Sequence, residues 1–286
     1  MSRLGALSLL AFGLVAGVAA SPAAALPAAS PQGAVVSVGT PTAVHSSFWT
    51  MRSYVALGDS FTAGQGAPPY RPGACMQSRY AGYPTIAAAL SVYRLTENRA
   101  CSGATVADTT AQLAGVGGST ALVTLTVGAI DVGSNDVFAA CAANPDPTVD
   151  PCKTAIATST AKLAELGPKL ATLYATIAAT LPQARVAVLN YPRLFEPGVA
   201  PLGDLVNTAT DGLNAVIQGA VAATGDPRVS YVDATDEFAG HGIGSRVPFI
   251  AFDQANLLAP ANFHPNALGN LLGYGRALAQ DRVFSR

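Results

Sequence analysis

Two segments of the chain contain polar residues that could perform chemistry together. Residues 58–64 (GDSFTAG) place Ser60 between a short apolar run and a predicted helix, and His264 lies near the C-terminus, just ahead of the last predicted helix. A serine at a helix N-terminus has unpaired backbone amides beside its hydroxyl, which can stabilise a developing anion. A histidine can accept the serine proton as a general base. The pair predicts nucleophilic acyl transfer, whereas each residue alone also fits a structural role, Ser60 as a helix N-cap and His264 as a hydrogen-bonded loop residue.

The segments around these two residues alternate between strand-like and helix-like patterns. The predicted strands cover residues 53–57, 93–97, 121–127, 184–189 and 229–232, and the predicted helices cover 83–90, 154–181, 205–223 and 267–279. The second of these helices is expected to kink or break at Gly167-Pro168. The alternation predicts a single α/β domain whose parallel sheet is covered by helices on both faces. Ligands bind such sheets at the carboxyl ends of the strands.

Composition and charge exclude several classes of protein. Only 12% of the 286 residues are charged and the formal net charge is −1, which excludes a domain that binds nucleic acid through clustered basic residues. With 50% apolar residues the chain can bury a large core, which excludes disorder along its whole length. The sequence has three histidines and no Cys-x-x-Cys pair, so we predict that it holds no metal.

The first fifty residues predict export. Residues 1–25 contain one basic residue, a long uncharged apolar run and alanine-rich steps suited to cleavage, which is the layout of a secretory signal peptide. A membrane anchor is the weaker alternative, because the run is short for a span and contains glycine. Residues 26–50 hold three prolines among small residues and predict a flexible leader. Residues 51–286 are then the single domain, and we expect a secreted, extracellular protein with no integral membrane segment after signal removal.

Four cysteines fit an exported protein. Cys75, Cys101, Cys141 and Cys152 are even in number, which predicts two disulfides in an oxidising compartment. Three pairings are possible. The most parsimonious one joins Cys75 to Cys101 and Cys141 to Cys152, so that each bond closes a short loop.

Three blocks of sequence resemble those of the secreted GDSL-type lipases and esterases of the SGNH hydrolase superfamily, particularly its actinobacterial branch. The blocks are YVALGDSFTAGQG (54–66), NRACSGAT (98–105) and NFHPNALG (262–269). The resemblance implies that Ser60 is the nucleophile, that the amides of Ser60 and Gly103 belong to the oxyanion hole, and that His264 is the catalytic base. It also implies a three-layer α/β/α sandwich with a central, mainly parallel five-stranded sheet of the flavodoxin-like type, no cofactor, and ester substrates that include lipids.

The chain departs from the family pattern at two positions of this site. The family usually places an Asn that donates to the oxyanion directly after the third strand, and the aligned residue here is Ile130. Either Asn135 replaces this donor from a rearranged loop, or oxyanion stabilisation rests on the backbone amides alone. Many relatives also have an acid three residues before the histidine, where this chain has Ala261. We expect the Ala261 carbonyl to orient His264, since this role needs only a hydrogen-bond acceptor.

Three functions are compatible with these features. The first is a hydrolase that cleaves carboxylic esters, including acyl lipids, through an acyl-enzyme on Ser60. The second is an acyltransferase that uses the same Ser–His dyad but passes the acyl group to an alcohol. The third is a non-catalytic binding protein that kept the fold, an alternative motivated by Ile130. We expect the hydrolase, acting as a monomer on a small-molecule or lipid ester, with no nucleic-acid partner.

Overall fold

A single five-stranded sheet organises the part of the chain that the computed structural model describes, which is residues 51–141, 144 and 146–284. The predicted signal peptide and leader lie outside the described residues. The strands are β1 (Arg52–Gly58), β2 (Tyr93–Asn98), β3 (Leu122–Thr126), β4 (Arg185–Leu189) and β5 (Val229–Val232), in the order β2-β1-β3-β4-β5. Every neighbouring pair is parallel, so the sheet is entirely rather than mainly parallel.

The helices form two groups around the sheet. They are α1 (Ser60–Ala63), α2 (Tyr83–Ala89), α3 (Val106–Ala111), α4 (Ser134–Cys141), α5 (Cys152–Thr180), α6 (Pro201–Thr224), α7 (Thr235–Phe238), a π-helical segment (Gly269–Tyr274) and α8 (Gly275–Gln280). Helix α5 contacts α3, α4 and α6, whereas the π-helical segment contacts α2, α7 and α8. The predicted α/β/α sandwich is therefore confirmed.

The central strands are buried because helices cover both faces of the sheet. All five residues of β3 (LVTLT) are buried, as are the last five of β1. A parallel strand covered on both sides shows this near-continuous burial rather than alternation. The buried threonine hydroxyls of β3 form hydrogen bonds inside the protein. That of Thr124, for example, forms a 2.6 Å hydrogen bond with the Tyr54 hydroxyl. The strand order reverses at β1, which has β2 on one side and β3 on the other, so a crevice is expected at the carboxyl ends of β1 and β3.

Two predicted helices differ from those observed. Helix α5 continues through Pro168, so of the two predicted outcomes, a kink or a break, the break is wrong. Proline has no backbone N–H, so the carbonyl of Ala164, one turn earlier, lacks its helical donor. Ala164 and Pro168 are both exposed, so water can bind this carbonyl. Leu166 and Leu170 are buried on either side of Pro168 and hold the helix together. The predicted final helix begins with the π-helical segment before it continues as α8.

The predicted disulfide pairing is confirmed. Cys75 is bonded to Cys101, which joins the loop after α1 to the loop after β2, and Cys141 is bonded to Cys152, which joins α4 to α5. The first bond is reinforced by the Ser102 amide, which donates to the Cys75 carbonyl at 3.1 Å. Both bonds constrain loops on the side of the sheet where β1 and β3 end. Among the described helices, none has the length and apolar character needed to cross a membrane.

Candidate active site

Ser60 lies where β1 ends and α1 begins. Gly58, the last residue of β1, has a φ of +112°, and a Cβ at this position would lie 2.1 Å from the carbonyl oxygen of Thr126 in β3. Glycine is therefore required for β1 to turn into α1 so close to β3. The turn leaves Ser60 buried at the crevice between the two strands.

Asp59, rather than Ser60, caps helix α1. Its carboxylate accepts hydrogen bonds from the Phe61 amide at 3.0 Å, from the Thr126 hydroxyl at 2.7 Å and from the Tyr191 hydroxyl. Burial raises the pKa of Asp59 to about 6, although these donors favour the charged form. Since Asp59 takes the capping role, the N-cap interpretation of Ser60 is wrong and the serine hydroxyl is available to other partners. The roles of Asp59 and Tyr191 were not predicted from the sequence, although Tyr191 lies only two residues after the last residue of β4.

His264 contacts Ser60 directly. Its Nε2 lies 2.8 Å from the Ser60 Oγ, and its Nδ1 lies 2.7 Å from the carbonyl oxygen of Asn262. A carbonyl can only accept a hydrogen bond, so Nδ1 carries the proton and the neutral ring presents an unprotonated Nε2 to the serine. This is the tautomer that a general base needs. The two residues that the sequence singled out are thus brought within proton-transfer distance.

The carbonyl that holds the imidazole belongs to Asn262, so the prediction of Ala261 for this contact is wrong by one residue. The difference arises at Phe263, which has a φ of +63°. This left-handed conformation is uncommon for a residue with a side chain. It turns the chain between Asn262 and His264, and the turn is fixed by two hydrogen bonds with Ala251, from the Phe263 amide at 2.9 Å and to the His264 carbonyl at 2.8 Å.

A close backbone approach brings the histidine segment against the serine segment. A Cβ on Gly66 would lie 2.3 Å from the carbonyl oxygen of Pro265 and 2.5 Å from that of His264. A larger residue at position 66 would push His264 away from Ser60. The side chain of Gln65 strengthens the approach, because its Nε2 donates to the Pro260 carbonyl at 2.6 Å.

The environment of His264 favours the neutral ring. Burial lowers the pKa of His264 to about 4, and the hydrogen bond to the Asn262 carbonyl opposes this shift only in part. Among the described residues, no carboxylate forms a hydrogen bond with the ring. The imidazole therefore stays neutral, and able to accept a proton, at pH values where an ordinary histidine would be protonated.

The pH dependence of catalysis should reflect this shift. We expect kcat/KM for a soluble ester to keep most of its plateau value at about pH 5 and to fall by half near pH 4, whereas a histidine with an ordinary pKa of about 6.5 would lose nearly all activity at pH 5. The measurement is a pH profile of kcat/KM. A midpoint at 6.5 would contradict the assigned environment of His264.

This profile needs a stability control. Because the pKa of His264 is lowered in the folded state, the unfolded chain binds that proton more readily, and His264 destabilises the fold as pH falls from about 6.5 to 4. Asp59 has the opposite effect on stability. Its pKa is raised in the folded state, so the folded chain binds the proton more readily than the unfolded chain does, and Asp59 stabilises the fold as pH falls from about 6 towards 3.8. Activity should therefore be assayed again at pH 7 after each acid exposure.

Three of the four amides in the first turn of α1 already have partners. The Phe61 amide donates to the Asp59 side chain, the Thr62 amide to the Thr126 hydroxyl at 3.1 Å, and the Ala63 amide to the Asp59 carbonyl at 2.9 Å. The Ser60 amide has no hydrogen-bond partner within the described residues. It is therefore available to an anion that forms beside the Ser60 hydroxyl.

The loop that contains Gly103 is held against the same strand end. The Cys101 amide donates to the Gly58 carbonyl at 3.0 Å, and the Ser102 hydroxyl donates to Oε1 of Gln65 at 2.5 Å. Gly103 has a φ of +80°, and its amide is also without a partner in the described part of the chain. The loop thus presents a second unpaired amide in the turn after β2.

Ile130 and Asn135 line one cavity together with Ser60 and His264. Ile130 lies in a tight loop after β3, where its carbonyl accepts from the Gly133 amide at 2.9 Å. Asn135 is exposed in the first turn of α4, and its side chain makes no hydrogen bond with another described residue. The cavity wall therefore has the apolar side chain of Ile130 in the loop after β3 and the exposed side-chain amide of Asn135 further along.

The cavity has a volume of about 500 Å³ and is mostly apolar. Its walls come from the loop after β3, helices α4, α5 and α6, and the segment before His264. The apolar side chains that line it include Ile130, Val137, Phe138, Ile156, Leu163, Leu205, Val206, Leu213, Leu257, Leu258 and Phe263. A cavity of this size and character can hold an apolar chain with its polar end at Ser60. In the part of the chain that is described, His, Cys, Asp and Glu side chains form no cluster of three that could hold a metal ion.

Comparison with known proteins identifies the family. Residues 56–272 match the model of the GDSL-like lipase/acylhydrolase family. The chain is 32% identical to Lipase 1 of Streptomyces coelicolor over 232 residues, which cover 77% of this chain and 83% of the relative. It is 33% identical to a lipase of Streptomyces rimosus over the same shares of the two chains.

Solved structures agree with this assignment. The crystal structure of the extracellular lipase of Streptomyces rimosus matches with a TM-score of 0.71 and 32% identity, over 80% of this chain and 99% of the other. That of phospholipase A1 from Streptomyces albidoflavus matches with the same TM-score, identity and coverage. The resemblance inferred from the three sequence blocks is therefore confirmed, and the chain belongs to the GDSL-like lipase/acylhydrolase family.

Proposed function

We propose that this protein is a secreted hydrolase that cleaves carboxylic esters with apolar acyl groups, with Ser60 as the nucleophile and His264 as the general base. The observation that supports the proposal most strongly is the 2.8 Å contact between His264 Nε2 and Ser60 Oγ at an apolar cavity, with Nδ1 held by a carbonyl. Export is supported by the signal-like N-terminus, by the two disulfides and by the extracellular lipase among the similar structures. We expect the protein to act as a monomer.

The first half of the reaction forms an acyl-enzyme. Ser60 Oγ attacks the carbonyl carbon of the ester while its proton passes to His264 Nε2. The tetrahedral intermediate carries a negative charge on the former carbonyl oxygen. The positive charge on the ring is stabilised by the Asn262 carbonyl, which accepts from Nδ1. When the intermediate collapses, the C–O bond to the alcohol breaks and His264 returns its proton to the leaving oxygen.

The second half releases the acid. A water molecule gives a proton to His264 Nε2 and attacks the acyl carbon. When the new intermediate collapses, the bond between the acyl carbon and Ser60 Oγ breaks, His264 returns its proton to Oγ, and the carboxylic acid is released. The dyad lacks a carboxylate partner, so the ring charge is balanced by a carbonyl dipole alone. This arrangement suffices to orient the ring, because an acceptor fixes the tautomer whether or not it is charged.

Oxyanion stabilisation is assigned to the amides of Ser60 and Gly103. Both amides lack other partners among the described residues, and both lie on segments that meet the carboxyl end of β1. Ile130 cannot donate a hydrogen bond. Gly103 and Asn135 are both exposed, but the Gly103 amide is fixed by the main chain, whereas no described residue holds the Asn135 side chain in place, so Asn135 is the less preorganised donor. We propose that the Ser60 and Gly103 amides stabilise the oxyanion without the Asn side-chain donor that the family usually adds.

Two variants test this assignment of the oxyanion hole. We expect Asn135→Ala to leave kcat within about twofold of the parent, and Ile130→Asn to raise kcat by about tenfold, since a missing donor costs on the order of 10²–10³ in rate and a new side chain recovers only part of it. The measurement is kcat and KM for one soluble ester. A loss of about 10² in Asn135→Ala would make Asn135 a donor, and a fall in Ile130→Asn would show that the cavity is built around Ile130.

Product analysis tests hydrolysis against acyl transfer. A soluble short-chain ester should yield mainly the free acid, even with glycerol added as a competing acceptor, because water is in large excess over the added alcohol. The two products can be separated and quantified by chromatography. A product that is mainly the glycerol ester would identify an acyltransferase. No turnover of any ester, with folded protein, would overturn both catalytic alternatives.

A further inference from the structure

The segment before His264 exposes apolar side chains at the edge of the cavity. We call residues 252–260 the leucine loop. Leu258 is 92% exposed, Leu257 is 59% exposed and Phe252 is 38% exposed. Single exposed leucines are common on protein surfaces, but here two are consecutive and both also line the cavity that holds Ser60. A partner that binds this loop therefore also lies against the cavity.

The leucine loop has a fixed shape. The buried side chain of Asn262 spans it, accepting from the Asp253 amide at 2.8 Å and donating to the Asn256 carbonyl at 2.9 Å. The Gln65 side chain holds the Pro260 carbonyl from the other side. Leu257 and Leu258 thus lie between two braced residues, Asn256 and Pro260, with their side chains largely exposed at the mouth of the cavity.

The same residue couples the loop to the catalytic base. The Asn262 side chain braces the leucine loop, and the Asn262 carbonyl holds Nδ1 of His264. Phe252 adds a further contact, because its ring lies 5.5 Å from that of Phe263, which lines the cavity. A surface that binds the leucine loop would therefore bind beside the catalytic dyad without having to displace it.

The charge pattern indicates what kind of surface this is. Asp253 is the one charged residue of the leucine loop, and from residue 254 to residue 275 the chain contains no Asp, Glu, Lys or Arg. The loop can therefore gain little from charge complementarity with a protein or a nucleic acid, and its main contribution to binding is the burial of apolar area. A neutral lipid–water interface matches this chemistry and also contains acyl chains that suit the adjoining cavity.

We infer that the leucine loop docks on the surface of lipid aggregates and so places the cavity at the lipid–water interface. The inference rests on the proposed function, because it requires the cavity to bind the acyl chain of an ester. Leu257 and Leu258 enter the apolar part of the interface, and the ester bond then reaches Ser60 from the lipid side. Binding should depend on these leucines and only weakly on salt.

The test measures binding without catalysis. Purified Ser60→Ala protein is mixed with phosphatidylcholine vesicles, and the bound fraction is measured by co-sedimentation. Adding Leu257→Ser and Leu258→Ser should weaken vesicle binding by about tenfold or more, since each change removes an apolar side chain from the interface. Adding Leu90→Ser instead is the matched control, because Leu90 is 64% exposed at the end of α2 and does not line the cavity. That control should bind as the Ser60→Ala parent does.

Several outcomes would overturn the inference. These are no vesicle binding by the parent, equal binding by the leucine variants, or a tenfold loss of binding between low and high salt, which would indicate an electrostatic contact. A control without vesicles measures self-association by sedimentation. If the protein self-associates, the leucine changes abolish this, and no vesicle binding is seen, the loop binds a second copy of the chain instead of lipid. Leu258→Ser alone replaces the double change if that variant does not fold. Turnover of a soluble ester by the unmodified protein tests the proposed function separately.

Discussion

Ser60→Ala should lower kcat for ester cleavage by at least about 10⁴-fold while KM changes little. The substitution removes the oxygen that becomes acylated and leaves the apolar cavity intact, so binding survives and the covalent step is lost. The residual rate is that of water attack on an ester bound beside the unpaired amides. Steady-state kinetics with a soluble chromogenic ester give both constants.

A matched serine controls for the effect of the Ser60 substitution. Ser119 is exposed in the turn between α3 and β3, away from the cavity lining, and Ser119→Ala should leave both constants unchanged. Circular dichroism should show that both variants are folded. Turnover by Ser60→Ala within tenfold of the parent would exclude Ser60 as the nucleophile.

His264→Ala should produce a loss of kcat as large as that of Ser60→Ala. Without the imidazole, the Ser60 hydroxyl has no acceptor for its proton and is a weak nucleophile at neutral pH. Because the two residues act as a unit, the double variant should be no slower than either single variant. The measurement is kcat for the two single variants and the double variant. A double variant slower by a further factor of about 10² would show that they act independently.

The control for His264 uses the residue that was expected to orient it. Ala261→Gly should keep most of the activity, because the ring is held by the main-chain carbonyl of Asn262 and not by any group of Ala261. Loss of activity in Ala261→Gly, with an unchanged melting temperature, would contradict this account of how the base is oriented.

The sheet was predictable because its strands are short apolar runs bounded by turn residues. The run at 121–127 became β3, which is one residue shorter at each end, and the run at 184–189 became β4, which begins one residue later. Helix α3 was missed although the sequence contains a signal for it: Thr105 and Asp108 form a capping box, which can be read from a Thr followed three residues later by an acidic residue. The four-residue helices α1 and α7 are too short to show helical periodicity.

The dyad was predictable from residue types and blocks, whereas its supporting contacts were not. The orienting carbonyl depends on the left-handed backbone of Phe263, a conformation that nothing about a phenylalanine in the sequence indicates. The role of Asp59 depends on Thr126 at the end of β3 and on Tyr191 in the loop after β4. Local sequence can identify the groups that react, but the groups that hold them come from distant parts of the chain.

Covalent labelling by a fluorophosphonate probe tests the central claim most directly. The probe phosphonylates a serine only where a base activates it and oxyanion donors stabilise the adduct. We expect a single adduct, mapped to Ser60 by mass spectrometry of the digested protein, and labelling at least about 10²-fold slower in His264→Ala. An adduct on another serine, or labelling of Ser60→Ala at the rate of the unmodified protein, would contradict this claim.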